Sequence, residues 1–193
     1  MIGKEERPQR CHPAHHAPVE RFNEPVIVQV NVCTKDRRAV LACDAGHQLC
    51  RAVWRAADHW RVGRYVIMPD HVHLFCAPGR FPMPGLRQWV EFWKSRIAAQ
   101  WPGGTGSVRS VGHPDADDTE VVPPGDGYFV PTRIPPVCRF KLWQRDYWDT
   151  QMRSRAHYED RLLYVRLNPV RRELVTHPED WPYQGEIFPL DWL

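Results

Sequence analysis

The apolar residues change their period along the chain, from strand-like alternation to helical spacing and back. Residues 25–33 are rich in β-branched side chains with partial alternation, which predicts a first strand. In residues 44–60 the apolar positions recur at steps of three and four. This spacing predicts a helix, and Asp44 at its start is a candidate N-cap.

A hairpin and a second helix are predicted next. Apolar runs at 62–68 and 71–77 flank Pro69-Asp70, a pair that favours a turn and cannot continue a central strand. From Pro84 onward the apolar residues return to helical spacing, until Gly103-Gly104 ends the pattern. Three tryptophans lie on that apolar stripe and are expected in the core: Trp89, Trp93 and Trp101.

The C-terminal part predicts one more strand and one more helix. Residues 142–152 are expected to form the strand, and residues 155–167 the helix, with Ser154 as its N-cap. One stripe of this helix is apolar, and another is polar, with His157, Arg161, Tyr164 and Asn168. The order of elements predicts an α+β domain, an antiparallel sheet with helices packed on one face.

Composition divides the chain into one domain and two polar segments. The 193 residues, 42% of them hydrophobic, suffice for one core. We expect residues 1–24, polar and rich in His and Pro, to form a flexible tail, and residues 25–193 to form a single domain. Residues 103–137 are rich in Gly, Pro and Asp and predict a long flexible insertion within that domain. This insertion carries a net charge of −3 and leaves +6 on the remaining chain, whose total is +3.

The same sequence argues against several classes of protein. Apolar runs are too short for a membrane span, and the N-terminus lacks the apolar region of a secretory signal. We therefore expect a cytoplasmic protein without a membrane partner. The six cysteines show neither zinc-ribbon spacing nor the density of a disulfide scaffold, which indicates reduced thiols.

Four residues form the candidate chemistry. His71 and His73 are separated by one residue on a predicted strand, so both side chains point to the same face. Tyr164 and Asn168 lie four residues apart on a predicted helix and share one side of it. Two neutral imidazoles and an amide oxygen could hold Mg²⁺ or Mn²⁺, and a tyrosine oxygen could attack a phosphate to form a covalent ester.

Simpler interpretations of these residues remain open. The two histidines could be a half-buried pair hydrogen-bonded to neighbours, and Tyr164 could pack its ring against the protein. Asn168 precedes Pro169 and could simply cap the end of the helix.

Several short motifs occur in a recognisable order between about Val26 and Tyr183, outside the insertion. They are Val66-Ile-Met-Pro-Asp-His-Val-His73, Phe92-Trp-Lys-Ser95, Trp143-Gln144, Tyr147-Trp148-Asp149 with Arg153, Tyr164-Val-Arg-Leu-Asn-Pro-Val-Arg171 and Glu179-Asp-Trp-Pro-Tyr183. In these motifs the chain resembles REP-associated tyrosine transposases, which are single-tyrosine nucleases of the HUH superfamily.

The resemblance implies a ferredoxin-like fold and a role for each candidate. His71, His73 and Asn168 would be the metal ligands, with Mg²⁺ or Mn²⁺ as cofactor, and Tyr164 would be the nucleophile. The implied activity is metal-dependent cleavage and strand transfer of single-stranded DNA at hairpin-forming palindromic repeats, through a 5′-phosphotyrosine intermediate. The implied setting is the bacterial cytoplasm, in association with the nucleoid. Basic residues that could contact DNA phosphates are Lys94, Arg153, Arg171 and Arg172.

The chain also departs from the family pattern. Thr150 stands where many relatives carry a histidine, Gln184-Gly185 replaces the usual serines, and the acidic insertion is atypical. A domesticated protein that binds hairpin DNA without turnover is the alternative function, although a pure binder has no need of all four candidate residues. A plasmid-type replication initiator is less favoured, because no second domain is recognised. Relatives occur as monomers and dimers, so a homodimer stays open.

Overall fold

The computed structural model describes Pro18 and residues 26–80, 82–101 and 141–190. Apart from Pro18, the predicted tail 1–24 and the predicted insertion 103–137 lie outside the described residues and stay predictions. The strands of the described part are β1 (Val28–Cys33), β2 (Trp60–Ile67), β3 (His71–Pro78), β4 (Trp148–Gln151) and β5 (Gln184–Glu186). Its α-helices are α1 (Asp44–Ala56), α2 (Leu86–Gln100), α3 (Arg155–Arg166) and α4 (Asn168–Arg171).

The strands form one antiparallel sheet in the order β4-β1-β3-β2-β5. Its first four strands follow the ferredoxin-like order, with β1 and β3 side by side in the middle. In their register Asn31 lies opposite His73, and Cys33 lies opposite His71. The predicted α+β class and the ferredoxin-like antiparallel sheet are confirmed, and the predicted hairpin is β2 and β3.

Helices α1 and α2 pack on one face of the sheet, over the larger apolar cluster. Alternation in β1 turns Val28, Val30 and Val32 towards these helices. The centre of the cluster is aromatic, because the Trp93 ring packs edge-on against neighbouring tryptophans. The predicted core positions of three tryptophans are confirmed: Trp89, Trp93 and Trp101 are all buried.

Helix α3 packs on the opposite face, whereas the sequence predicted helices on one face. The Phe75 and Tyr158 rings meet edge-on, with centroids 5.2 Å apart, inside a second apolar cluster that includes Val66 and Val165. Central strand β3 is buried from His71 to Cys76 without alternation, so both of its faces require cover. The sheet therefore lies between two layers of helix.

Element boundaries differ from prediction in a few places. Cys43, rather than Asp44, is the N-cap of α1, and its sulfur accepts a hydrogen bond from Gly46 N at 3.4 Å. Strand β4 is shorter than the predicted 142–152, and Trp143 forms only an isolated bridge to Thr34. No helix of the described residues is long and apolar enough to span a bilayer.

Candidate functional site

His71 and His73 meet at the start of β3, on the face that α3 covers. Both side chains are buried, with 7% of each residue exposed. Their Nε2 atoms are 3.0 Å apart, and the two rings are nearly perpendicular, with centroids separated by 4.7 Å. The sequence prediction that the two imidazoles converge on one point is confirmed.

The opposite nitrogen of each ring is anchored by a neighbouring side chain. His71 Nδ1 lies 2.6 Å from Asp70 Oδ1, and His73 Nδ1 is hydrogen-bonded to Asn31 Oδ1 across the β1–β3 pair. Asp70 also pairs with Arg37, at 3.2 Å. Anchoring at Nδ1 fixes both ring orientations and leaves the Nε2 atoms to face each other.

Burial keeps this histidine pair neutral. It lowers the pKa of His73 to about 3, and the positive charges of His71, Arg161 and Arg37 act in the same direction. Burial also lowers the pKa of His71, although the hydrogen bond and charge of Asp70 oppose it. Neutral imidazole is the form that binds metal ions, so near pH 7 both rings are in the protonation state that metal binding requires.

The geometry of the pair fits a metal ion. Two nitrogens that each lie about 2.1 Å from an ion, at right angles, are about 3 Å apart, and the observed separation is 3.0 Å. Among residues 26–80, 82–101 and 141–190, no group of three or more His, Cys, Asp or Glu side chains could hold a metal. A metal ion bound by the pair would therefore need further ligands of another kind, such as an amide, water or phosphate oxygen.

Tyr164 lies on α3, and 39% of it is exposed. Two guanidinium groups lie near its ring: the Cζ of Arg161 is 5.0 Å from the centroid, and that of Arg171 is 4.7 Å. Arg161 also donates from Nε to Gln29 Oε1, at 2.8 Å, on the strand that carries Asn31. The tyrosine is thus connected through Arg161 to the strand that anchors His73.

Asn168 is buried and begins α4, directly after α3. Its Nδ2 donates to the carbonyls of Tyr164, at 3.2 Å, and Val165, at 3.5 Å. The capping alternative considered from the sequence is therefore present. Because the nitrogen is engaged with the helix, Oδ1 is the atom that would serve in the predicted role of metal ligand.

The four basic candidates have different surroundings. Lys94 is a buried residue of α2, on the other side of the sheet, and its Nζ donates to two backbone carbonyls, of Gln144 and Arg145, at 2.8 and 2.9 Å. This geometry argues against a phosphate contact by Lys94. The other three are exposed on the side of α3 and α4: Arg153, Arg171 and Arg172.

The side chains that support the dyad of His71 and His73 were not predicted from the sequence. Gln29 and Asn31 alternate with the valines of β1, which is the only sequence signal that they face away from the larger cluster. Asp70 lies within the histidine motif and Arg161 on the polar stripe of α3, but neither received a role. Their contacts depend on strand register and helix placement, which a single sequence does not provide.

Comparisons with known proteins support the resemblance. No family model matches the chain. A putative REP-associated tyrosine transposase of Haemophilus influenzae is 34% identical over 58 residues, which cover 26% of this chain and 33% of that protein. A REP-associated tyrosine transposase of Escherichia coli K12 is 28% identical over 64 residues, 29% of this chain and 39% of that protein. The matches thus span between a third and two fifths of these relatives.

A solved structure extends the comparison to most of the fold. It is described as a REP-associated tyrosine transposase bound to a REP hairpin, and it matches with a TM-score of 0.56 over 88% of this chain and 82% of its own. At 15% sequence identity, this likeness is one of fold. Sequence similarity over one segment and a shared fold over most of the chain confirm the predicted resemblance to REP-associated tyrosine transposases.

Proposed function

We propose that this protein is a metal-dependent endonuclease and strand transferase of single-stranded DNA, acting at hairpin-forming palindromic repeats. The observation that carries the proposal is the pair of buried, anchored imidazoles whose Nε2 atoms converge at 3.0 Å, on the sheet face covered by the helix of Tyr164. Both rings are anchored at Nδ1, and both Nε2 atoms are directed at one point. This is the arrangement in which outer partners orient the histidine ligands of a metal site.

Tyr164 is the proposed nucleophile. Its phenolic oxygen loses its proton and attacks the phosphorus of a DNA phosphodiester, so that a tyrosine–phosphate bond forms. The bond from phosphorus to the 3′ oxygen breaks, and that oxygen takes up a proton to become a free 3′-hydroxyl. Attack by a 3′-hydroxyl on the phosphotyrosine then reverses the exchange and joins the strands without ATP.

His71 and His73, through Nε2, and Asn168, through Oδ1, would hold the ion. A divalent ion bound there supplies Lewis-acid polarisation of the phosphate and stabilises charge in the transition state. Imidazole nitrogens suit Mn²⁺ better than Mg²⁺, which prefers an all-oxygen shell, so we propose Mn²⁺ as the better of the two cofactors. Asp70 and Asn31 keep the rings in position for either ion.

Hairpin DNA is the proposed partner. The curated relatives are REP-associated transposases by name, and the solved structure with this fold holds a REP hairpin. Exposed arginines beside Tyr164, Arg171 and Arg172, could neutralise backbone phosphates near the point of cleavage. Such a substrate places the protein in the cytoplasm, at the chromosome.

The test is formation of a covalent adduct. Purified protein is incubated with labelled single-stranded hairpin DNA from the flanks of its own gene, with Mn²⁺ or EDTA, and resolved on a denaturing gel. We expect a metal-dependent adduct in the wild type and in Tyr158→Phe, a control on the same helix, and none in Tyr164→Phe. An adduct that persists in Tyr164→Phe would exclude this tyrosine as the nucleophile.

A non-catalytic hairpin-binding protein is the second candidate. It is favoured by the helix-capping bonds of Asn168 and by the lack, within the described ranges, of three His, Cys, Asp or Glu side chains placed to hold a metal together. Hairpin binding without an adduct, across metals and flanking sequences, would support this candidate instead.

A further inference from the structure

A buried glutamine connects α3 to the histidine pair. Gln29, on β1, is only 1% exposed, and both ends of its amide are used. Its Oε1 accepts a hydrogen bond from Arg161 Nε at 2.8 Å, and its Nε2 donates to Asn31 Oδ1 at 3.3 Å. The same Asn31 oxygen is bonded to His73 Nδ1. The four side chains form one continuous row of hydrogen bonds from α3 to the dyad, which we call the relay.

The donor-to-acceptor direction of the hydrogen bonds in the relay is fixed at its helix end. A guanidinium group can only donate, so Gln29 must present its oxygen to Arg161 and its NH₂ to Asn31. Asn31 must then present its oxygen, which is already an acceptor when it meets the imidazole. His73 Nδ1 must carry the proton, and its Nε2 is left with the lone pair that points at His71.

We infer that Arg161 is a positioning residue that sets the tautomer of His73 from α3. Asp70 does the same for His71 directly, because a carboxylate can only accept from Nδ1. The second contact of Arg161 is the ring of Tyr164, at 5.0 Å. One side chain therefore orients the proposed nucleophile and selects the nitrogen of His73 that faces the proposed metal. The use of that nitrogen as a ligand rests on the proposed function, whereas the direction of the hydrogen bonds does not.

The first measurement needs no variant. In metal-free protein at neutral pH, the ¹⁵N shifts and two-bond ¹H–¹⁵N couplings of the His73 ring distinguish the two tautomers. We expect the proton on Nδ1. A proton on Nε2 would overturn the inference.

Two substitutions test whether the relay determines the tautomer of His73. Gln29→Glu keeps the shape and the bond to Arg161 but cannot donate to Asn31, so the Asn31 amide turns over and the His73 proton moves to Nε2. Arg161→Met removes the fixed donor, and His73 should then populate both tautomers. Adding Asn31→Asp to Arg161→Met supplies an acceptor-only group beside His73 and should restore the Nδ1 proton.

Metal affinity gives an independent readout. Loss of an outer partner of a metal ligand weakens binding by about 10-fold or more, so Gln29→Glu and Arg161→Met should bind Mn²⁺ correspondingly less tightly in calorimetry. The Arg161→Met, Asn31→Asp double variant should recover much of that loss. Arg155→Met, on the same helix but paired with Glu159, is the matched control and should change neither readout.

The outcomes separate this inference from the proposed function. An unchanged His73 tautomer in both Gln29→Glu and Arg161→Met would overturn the relay, even if the wild type cleaves DNA. A tautomer that shifts and is rescued as described supports the relay, even if no DNA adduct forms. A purely structural role of Arg161 would lower the unfolding temperature without moving the His73 proton.

Discussion

The tautomers inferred for the two histidines would be unfavourable for an isolated pair. If Asp70 and Asn31 accept both Nδ1 protons, the two Nε2 lone pairs face each other at 3.0 Å. Little water is present in the buried site to relieve that repulsion, whereas a cation between the rings would relieve it. The inferred tautomers therefore support the proposed metal, in addition to the residue types.

Burial of His73 predicts acid sensitivity of the fold. Its pKa in the folded protein is about 3, well below the ordinary value of 6.5, because burial disfavours the charged ring. The unfolded chain then binds more protons between these values, so stability present above pH 6.5 is lost as the pH falls towards 3. In EDTA, this residue should cost about 2 to 3 kcal/mol of unfolding free energy between pH 7 and pH 4.5.

The measurement is urea unfolding at both pH values, compared with His73→Gln. The variant lacks the titrating ring but retains the other acid-sensitive groups, so the difference between the two pH dependences isolates His73. Parallel loss of stability in the two proteins would show that the imidazole is protonated in the fold without penalty.

The proposed catalytic and metal-binding residues were more predictable from the sequence than the residues that support them. His71, His73 and Tyr164 could be named because strand and helix periods fix which side chains share a face. Gln29 and Arg161 are 132 residues apart in sequence, and their hydrogen bond exists only because α3 packs on the face of the sheet that carries Gln29. No local pattern encodes such packing.

Helix α3 carries the proposed nucleophile, so a substitution in its first turn tests what stabilises this helix. Ser154 accepts a hydrogen bond from His157 N at 3.2 Å and satisfies a backbone donor at the N-terminus, as the sequence predicted. Ser154→Ala should cost about 1 kcal/mol of unfolding free energy, because that donor loses its partner. Urea unfolding measures the loss.

The matched variant for this prediction is Ser154→Asp, which keeps an N-cap acceptor. It should retain stability within a few tenths of a kcal/mol of the wild type. If Ser154→Ala and Ser154→Asp were equally destabilised, the hydroxyl would not be acting as a cap.

Long elements were predictable from the sequence, whereas short ones were not. The α1 and α2 helices and the β2–β3 hairpin have enough apolar positions to define a period. Strand β5 has three residues, Gln184–Glu186, and exists because it pairs with the edge of β2. The placement of α3 on the far face also follows from tertiary packing, because continuous burial of β3 requires cover on both sides.

In the molecule as a whole, the two faces of the sheet carry different kinds of residues. The α1 and α2 face holds the larger apolar cluster, with Lys94 used internally for backbone carbonyls. The α3 face holds the dyad, Tyr164 and two exposed arginines that follow it in sequence, Arg171 and Arg172. If DNA is cleaved at Tyr164, its backbone must run along this second face.

This arrangement predicts which positively charged side chains contact the DNA phosphates. A phosphate contact releases counterions, so each one contributes about 1 to the slope of log affinity against log salt concentration. Arg171→Ala and Arg172→Ala should each weaken hairpin binding and reduce that slope by about 1. Arg55→Ala, an exposed residue of α1 beyond the opposite face, removes the same charge from the protein and should leave the slope unchanged. Equal effects of all three substitutions, in fluorescence anisotropy across a salt series, would mean that DNA responds to net charge and not to the α3 face.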